Sequence, residues 1–317
     1  MALGIIIRQI AVLAILVIIG LVASRSKVIT SASKDFLARI IFHITLPAML
    51  LTNFSRIDLT PRLLSNSLQV LVLSIFVLFF MLLIGWLTSK IAGLKGSSAA
   101  IFRLHSMLGN VIYLGLPVIS SLFGEEGLLY GSIFVLVSNI LMWTVGVAVI
   151  TPGPSFSIRK NLGRIFNLNT IAIITGFILF LLSIKLPPII LDSVGALGGT
   201  NTYLSMIYIG AVLWFADGRK MMRNKAVYLL SLNRLIIVPL MILGIFILIS
   251  HFFPSLTDSK VVSVLVMQAA MPCMVNVVIM VNILGEDDGI ATANVFISTL
   301  LSVITLPLIL MTISMIY

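Results

Sequence analysis

Charge is scarce in this chain: only 9% of its 317 residues are Asp, Glu, Lys or Arg, against about 25% in ordinary soluble domains. A polypeptide so poor in charge is solvated mainly by lipid. Acid is scarcer still. The ten carboxylates (Asp35, Asp58, Glu125, Glu126, Asp192, Asp217, Asp258, Glu286, Asp287 and Asp288) all fall between apolar runs or at their ends. Proton and sodium antiporters normally keep intramembrane carboxylates as a relay, so their lack argues against that class. Cysteine is nearly missing, and Cys273 alone excludes a disulfide framework. His43, His105 and His251 lie in different segments without zinc-ligand spacing, so no metal is expected. No nucleotide-binding loop or nucleophile–base pair occurs, and neither an enzyme nor a cofactor is expected. Ile5–Val22 has no basic cluster before it and no Ala-x-Ala site after it, so a cleavable signal is not expected either.

What is present is hydrocarbon: 60% of the residues are hydrophobic. The apolar runs reach the roughly 20 residues that a membrane-spanning helix needs. Barrel strands would alternate over about 10 residues, and no such alternation appears. The chain is therefore read as an all-α membrane protein. Runs bounded by charge, Gly or Pro give ten expected spans: Leu3–Ser24, Phe36–Phe54, Ser67–Thr88, Ser97–Phe123, Leu128–Thr151, Leu168–Leu186, Thr200–Ala216, Val227–Phe253, Val261–Leu284 and Ile290–Tyr317.

The net charge of +10 is dispersed through short loops rather than gathered on one face, so nucleic acid is not an expected partner. Fifteen of the twenty basic residues follow odd-numbered spans: Arg25, Lys27, Lys34, Arg39, Lys90, Lys95, Arg103, Arg159, Lys160, Arg164, Arg219, Lys220, Arg223, Lys225 and Arg234. The positive-inside rule then puts those loops in the cytoplasm and both termini outside a cell membrane.

Ten spans divide evenly into residues 1–152 and 153–317, two five-helix repeats of opposite orientation. GEEG (Gly124–Gly127) and GEDDG (Gly285–Gly289) stand at equivalent positions, each after an interrupted span, although acidic glycine turns are also ordinary hairpin connectors. In the fourth span Gly109, Asn110, Gly115 and Pro117 fall within about two turns. In the ninth, Gln268, Pro272 and Asn276 recur every four residues along one helix face. Proline removes a donor and clashes with the preceding turn, and unsatisfied backbone survives in a bilayer only inside protein or beside water. Paired interruptions of this kind point to the midplane site of an inverted-repeat transporter. Crossed, broken helices would aim free amides and positive dipole ends at an anion, with Asn110, Tyr113, Gln268, Cys273 and Asn276 nearby. The competing reading is two proline-kinked helices whose carboxamides merely tie neighbours together.

Further polar candidates flank these spans. Arg103 and His105 suit an electropositive vestibule, with His105 a proton carrier; alternatively Arg103 snorkels to the interface and His105 caps a neighbouring helix. Asn139, Asn294, Ser138 and Ser298 either approach the crossing from the side or join helices by hydrogen bonds. His43 is expected to pack, and Gly195-x-x-x-Gly199 borders an expected loop.

QAAMPCMVN (Gln268–Asn276), GEDDG and the TLP of the last span (Thr305–Pro307) resemble the C-terminal signature of the auxin efflux carrier family. GNVIYLGLPVISSLFGEEG (Gly109–Gly127) and ITLPAMLLTNFS (Ile44–Ser55) are similar to its N-terminal half. The resemblance implies a ten-helix fold shared in outline with bile-acid symporters. In that fold helices 1, 2, 6 and 7 form a scaffold, and helices 3–5 and 8–10 a transport domain. It also implies that Asn110 is the crossover asparagine and Pro272 the ninth-helix proline. Plant PIN-FORMED members usually carry proline where Gly109 stands and often a second where Asn276 stands. The long plant loop between the halves is absent, as in compact bacterial members associated with malate or malonate. The implied activity is secondary or potential-driven transport of small organic anions by alternating access, with the bilayer and the anion as partners and scaffold helices available for homo-oligomers. A sodium-coupled bile-acid-type symporter and a non-transporting receptor or subunit remain alternatives.

Overall fold

The computed structural model describes residues 2–150, 166–215, 225–252, 258–283 and 289–316. The GEDDG turn as far as Asp288, and the basic residues Arg159, Lys160, Arg164, Arg219, Lys220 and Arg223, lie outside them. Among the described residues the chain is helical almost throughout, and its extended pairing is one isolated bridge. Among these residues five helices are long and apolar enough to cross a bilayer: α2 (Ser31–Arg56), α3 (Pro61–Ile91), α5 (Val111–Ile150), α8 (Lys225–Phe252) and α11 (Gly289–Ile316). Between them run α1 (Ala2–Arg25), α4 (Gly96–Met107), α6 (Leu168–Leu181), α7 (Pro188–Phe215), α9 (Ser259–Ala269) and α10 (Val275–Ile283). This is a multi-pass membrane protein.

The side chains of α3 show why it needs lipid. Leu68, Val72, Ile75, Phe76, Phe79 and Leu83 are exposed at three- and four-residue intervals, while Val70, Val77, Leu78 and Met81 are buried. A helix apolar on both faces has no side to offer water. Helix starts are capped by short polar side chains that accept the orphan amides of the first turn. Asn167 Oδ1 takes Asn169 and Thr170 N–H at the head of α6. Asp258 Oδ1 takes Lys260 and Val261 N–H at the head of α9.

Two boundaries differ from the sequence expectation. The seventh span was expected from Thr200, but α7 begins at Pro188 and runs 28 residues. Gly195 and Gly199 therefore sit inside a helix rather than beside a loop. Asp192, Asn201 and the glycines dilute the hydropathy there, while helix packing sustains the segment: a β-carbon on Gly210 or Gly20 would overlap the facing backbone of α1 or α7. The second departure is within α5, where the spans on either side of GEEG are joined through one non-helical residue, Gly124 (φ 66°, ψ −154°). That region is essentially closed to side chains, with a cost of about 1–3 kcal/mol. Gly124→Ala is expected to lower the thermal unfolding midpoint of purified protein, whereas Gly127→Ala, at an ordinary helical position, should instead report on contact with Phe123.

The chain forms two compact units. The first contains Met1–Leu71, Ile112–Leu136 and Gly163–Phe215, hence α1, α2, α6, α7 and the first part of α5. Its core includes Phe54 packed edge-on against Phe177 and Tyr113 tilted against Tyr208. His43 packs against Phe42. The second contains Val72–Val111, Val137–Leu162 and Ala216–Tyr317, hence α4, α8, α9, α10 and α11. Phe102, Leu230, Cys273 and Val295 form a buried cluster in it.

Candidate functional site

Each interruption marked in the sequence contains a break, and both breaks lie in the second unit. Helix α4 makes its last turn with Leu108 N–H donating to Leu104 O at 2.8 Å, after which Leu108 is extended (φ −100°, ψ 118°). Helix α9 ends at Ala269, with Ala270 N–H on Val266 O at 3.0 Å. Pro272 cannot donate to Gln268 O, and it disfavours helical backbone at Met271. The two exposed backbones then satisfy one another. Asn110 N–H donates to Pro272 O at 2.7 Å, Met274 N–H donates to Leu108 O at 3.3 Å, and Gly109 and Cys273 form an antiparallel bridge. Helix resumes directly beyond it, at Val111 as a π-turn and at Val275.

A bridge of this length cannot absorb every group freed by two broken helices. In an unbroken helix His105 O and Ser106 O would accept from residues 109 and 110, and Met271 O from residue 275. Instead all three accept from one side chain. Arg234 donates Nε–H to Met271 O at 2.6 Å and Nη1–H to His105 O and Ser106 O at 2.8 and 2.7 Å. Its planar fork of five donors suits carbonyls from two segments at once, and its charge complements the negative ends of α4 and α9. The side chain is 1% exposed. None of the ion pairs among the described residues includes it. The breaks therefore enclose a net positive charge held in place by backbone oxygens.

Gly109 makes room for that charge. A β-carbon there would overlap the Arg234 guanidinium and stand 3.2 Å from Met271 O. His105 closes the arrangement from the other side. Asn294 Nδ2 lies 3.1 Å from His105 Nδ1, and His105 Nε2 lies 3.3 Å from Met274 O. Donation by the Asn294 amide makes Nδ1 the acceptor and leaves Nε2–H to donate to Met274 O. Cys273 N–H donates to Ser298 Oγ at 2.9 Å. Asn294 and Ser298 of α11 thus do reach the breaks.

The expected site residues divide in position. Asn110, Pro272 and Cys273 form the bridge, with His105 bonded across it. Gln268 is fully buried one turn before the second break, and neither atom of its carboxamide has a hydrogen-bond partner among the described residues. Asn276 is half-buried in the first turn of α10. Arg103 is half-buried and donates Nε–H to Ser89 Oγ at 2.9 Å, while His105 is wholly buried. Tyr113, Gly115 and Pro117 belong to the first unit. Arg234 corrects the reading of charge along the chain: it was assigned to a cytoplasmic loop, but it lies in the π-turn Asn233–Ile237 of α8. The signal was present, since Arg234 stands seven residues into the apolar run that starts at Val227, where a charge is expensive and usually functional.

The family model described as "Membrane transport protein" matches residues 5–310. An uncharacterized transporter of Methanothermobacter thermautotrophicus is 26% identical over 297 residues, which cover 93% of this chain and 94% of the relative. An uncharacterized transporter of Methanocaldococcus jannaschii is 28% identical over 207 residues, covering 63% and 66%.

Proposed function

The chain belongs to the membrane transport protein family, that of the auxin efflux carriers it resembles, and on that premise we propose that it is a secondary carrier of small organic anions working by alternating access. One observation carries the choice of cargo: the buried guanidinium of Arg234 at the paired breaks, without a carboxylate among its partners in the described residues. A site with fixed positive charge, and no fixed negative charge among the described residues, favours an anion. The amides of the helix turn beginning at Val275 would add donors and positive dipole, and the carboxamides of Gln268, Asn110 and Asn276 would orient a carboxylate. Malate and malonate are of the right class.

Arg234 also weighs against the sodium-coupled alternative. A sodium ion at the breaks would seek the carbonyls freed there, and three of them already serve a tethered cation. We therefore expect flux without sodium dependence. Export of a monoanion would draw on an inside-negative potential, about 2.3 kcal/mol per charge per 100 mV. Ten spans in two inverted repeats, termini outside the cell membrane, and motion of expected spans 3–5 and 8–10 against spans 1, 2, 6 and 7 complete the proposed mechanism.

Counterflow of labelled malonate in proteoliposomes tests it. A carrier exchanges label across the bilayer and a receptor does not. Asn110→Ala should cut exchange about tenfold or more, since a hydrogen bond to a charged group is worth about 1.5–3 kcal/mol. Exchange of malonate, malate and related acids at the rate of empty liposomes would overturn the proposal.

A further inference from the structure

The first unit contains a pocket of about 280 Å³, with mixed polar and apolar walls, between α1, α2, α7 and the part of α5 around Gly124. That is near the lower end of ligand pockets, roughly 300–1,000 Å³. Arg56 and Asn53 line it from α2, Ser120, Ser121 and Glu125 from α5, and Leu13 gives it an apolar wall from α1.

Its charges are not mutually satisfied. Arg56 has Glu125 at 4.0 Å, the outer limit of an ion pair, with both side chains about half exposed. Asp58 and Glu126 are engaged elsewhere: Asp58 pairs with Lys185 at 2.7 Å, and Glu126 accepts from Tyr130 Oη at 2.9 Å. A guanidinium offers five donors, of which one distant carboxylate uses few. Beside it, Asn53 is 4% exposed and its Nδ2 has no hydrogen-bond partner among the described residues. A buried donor left unmade is costly, so such groups normally meet a partner. Gly195 adds the space: a β-carbon there would press on the Arg56 guanidinium.

We infer that this pocket is a second binding site for an oxyanion, held by the Arg56 guanidinium and the Asn53 amide, with Glu125 as the internal competitor that the ligand displaces. The chemistry fits a carboxylate of a small organic acid or the phosphate of a lipid headgroup. The site lies wholly within the first unit, and its occupancy does not require that the protein carry out transport.

Titration calorimetry of the full chain in phosphatidylcholine nanodiscs, with sodium malonate as the probe, tests it. Asn110→Ala serves as the background, so that binding at the helix breaks does not mask the signal. Saturable binding is expected, weakened about tenfold or more by Arg56→Gln, largely kept by Arg56→Lys, and tightened by Glu125→Gln. If malonate does not bind but phosphatidylglycerol raises the unfolding temperature in wild type and not in Arg56→Gln, the headgroup is the ligand and the site stands. If Arg56→Gln leaves both responses as they were in a folded protein, or if neither probe acts on wild type, the inference fails.

Discussion

Arg234→Met is expected to reduce carboxylate exchange to background while the protein still inserts in the membrane. Methionine nearly matches the volume of the arginine stem but donates nothing, so Met271 O, His105 O and Ser106 O lose their donors together. Each buried acceptor left unmade costs about 1–3 kcal/mol, and water cannot replace the donor cheaply in a site so enclosed. The unfolding midpoint should fall as well. Arg234→Lys keeps the charge but not the fork, and should retain a fraction of the flux. Adding guanidinium ion to Arg234→Ala provides the sharper measurement: partial return of exchange is expected, because the vacated carbonyls fit the free ion. Wild-type exchange by Arg234→Met would mean that the charge has no part in transport.

Gly109→Ala should be nearly as damaging, although it adds a single methyl group. Its β-carbon would occupy the space of the Arg234 guanidinium. Overpacking of a closed core costs about 1–3 kcal/mol, and here relief must come from the group that satisfies both helix ends. Exchange is expected to fall at least about tenfold. The two predictions are coupled. Gly109→Ala combined with Arg234→Lys should recover part of the loss relative to Gly109→Ala alone, since the slimmer ammonium leaves room for the methyl. A double-mutant cycle measures this coupling directly; strict additivity would show that the contact is unimportant.

The Gly109 position also illuminates the sequence comparison. The plant carriers usually place proline there, and either residue weakens helix, but only a residue without a β-carbon accommodates the arginine of this chain. The paired interruptions were legible because Pro272, Gly109 and Asn110 act on their own backbone, within a turn of where they stand. Arg234 was harder to read. By charge counting it looked like one more cytoplasmic residue, and its place in an apolar run was outweighed by its neighbours Arg219, Lys220, Arg223 and Lys225. For His105 the structure adds two partners that the sequence does not mark, Asn294 Nδ2 at Nδ1 and Met274 O at Nε2.

Hydropathy and the positions of proline and glycine determined by themselves that the chain is helical, lies in a bilayer and is broken at two points, because these are local consequences of side-chain solvation and backbone freedom. What fills the breaks was decided only by the tertiary structure. The carbonyls released at residues 105, 106 and 271 find their donor on α8, 129, 128 and 37 residues away. Hydrogen-bond partners so remote in sequence leave no periodicity for a reader to detect. Their geometry turns two weak points in hydrophobic helices into one enclosed cationic centre.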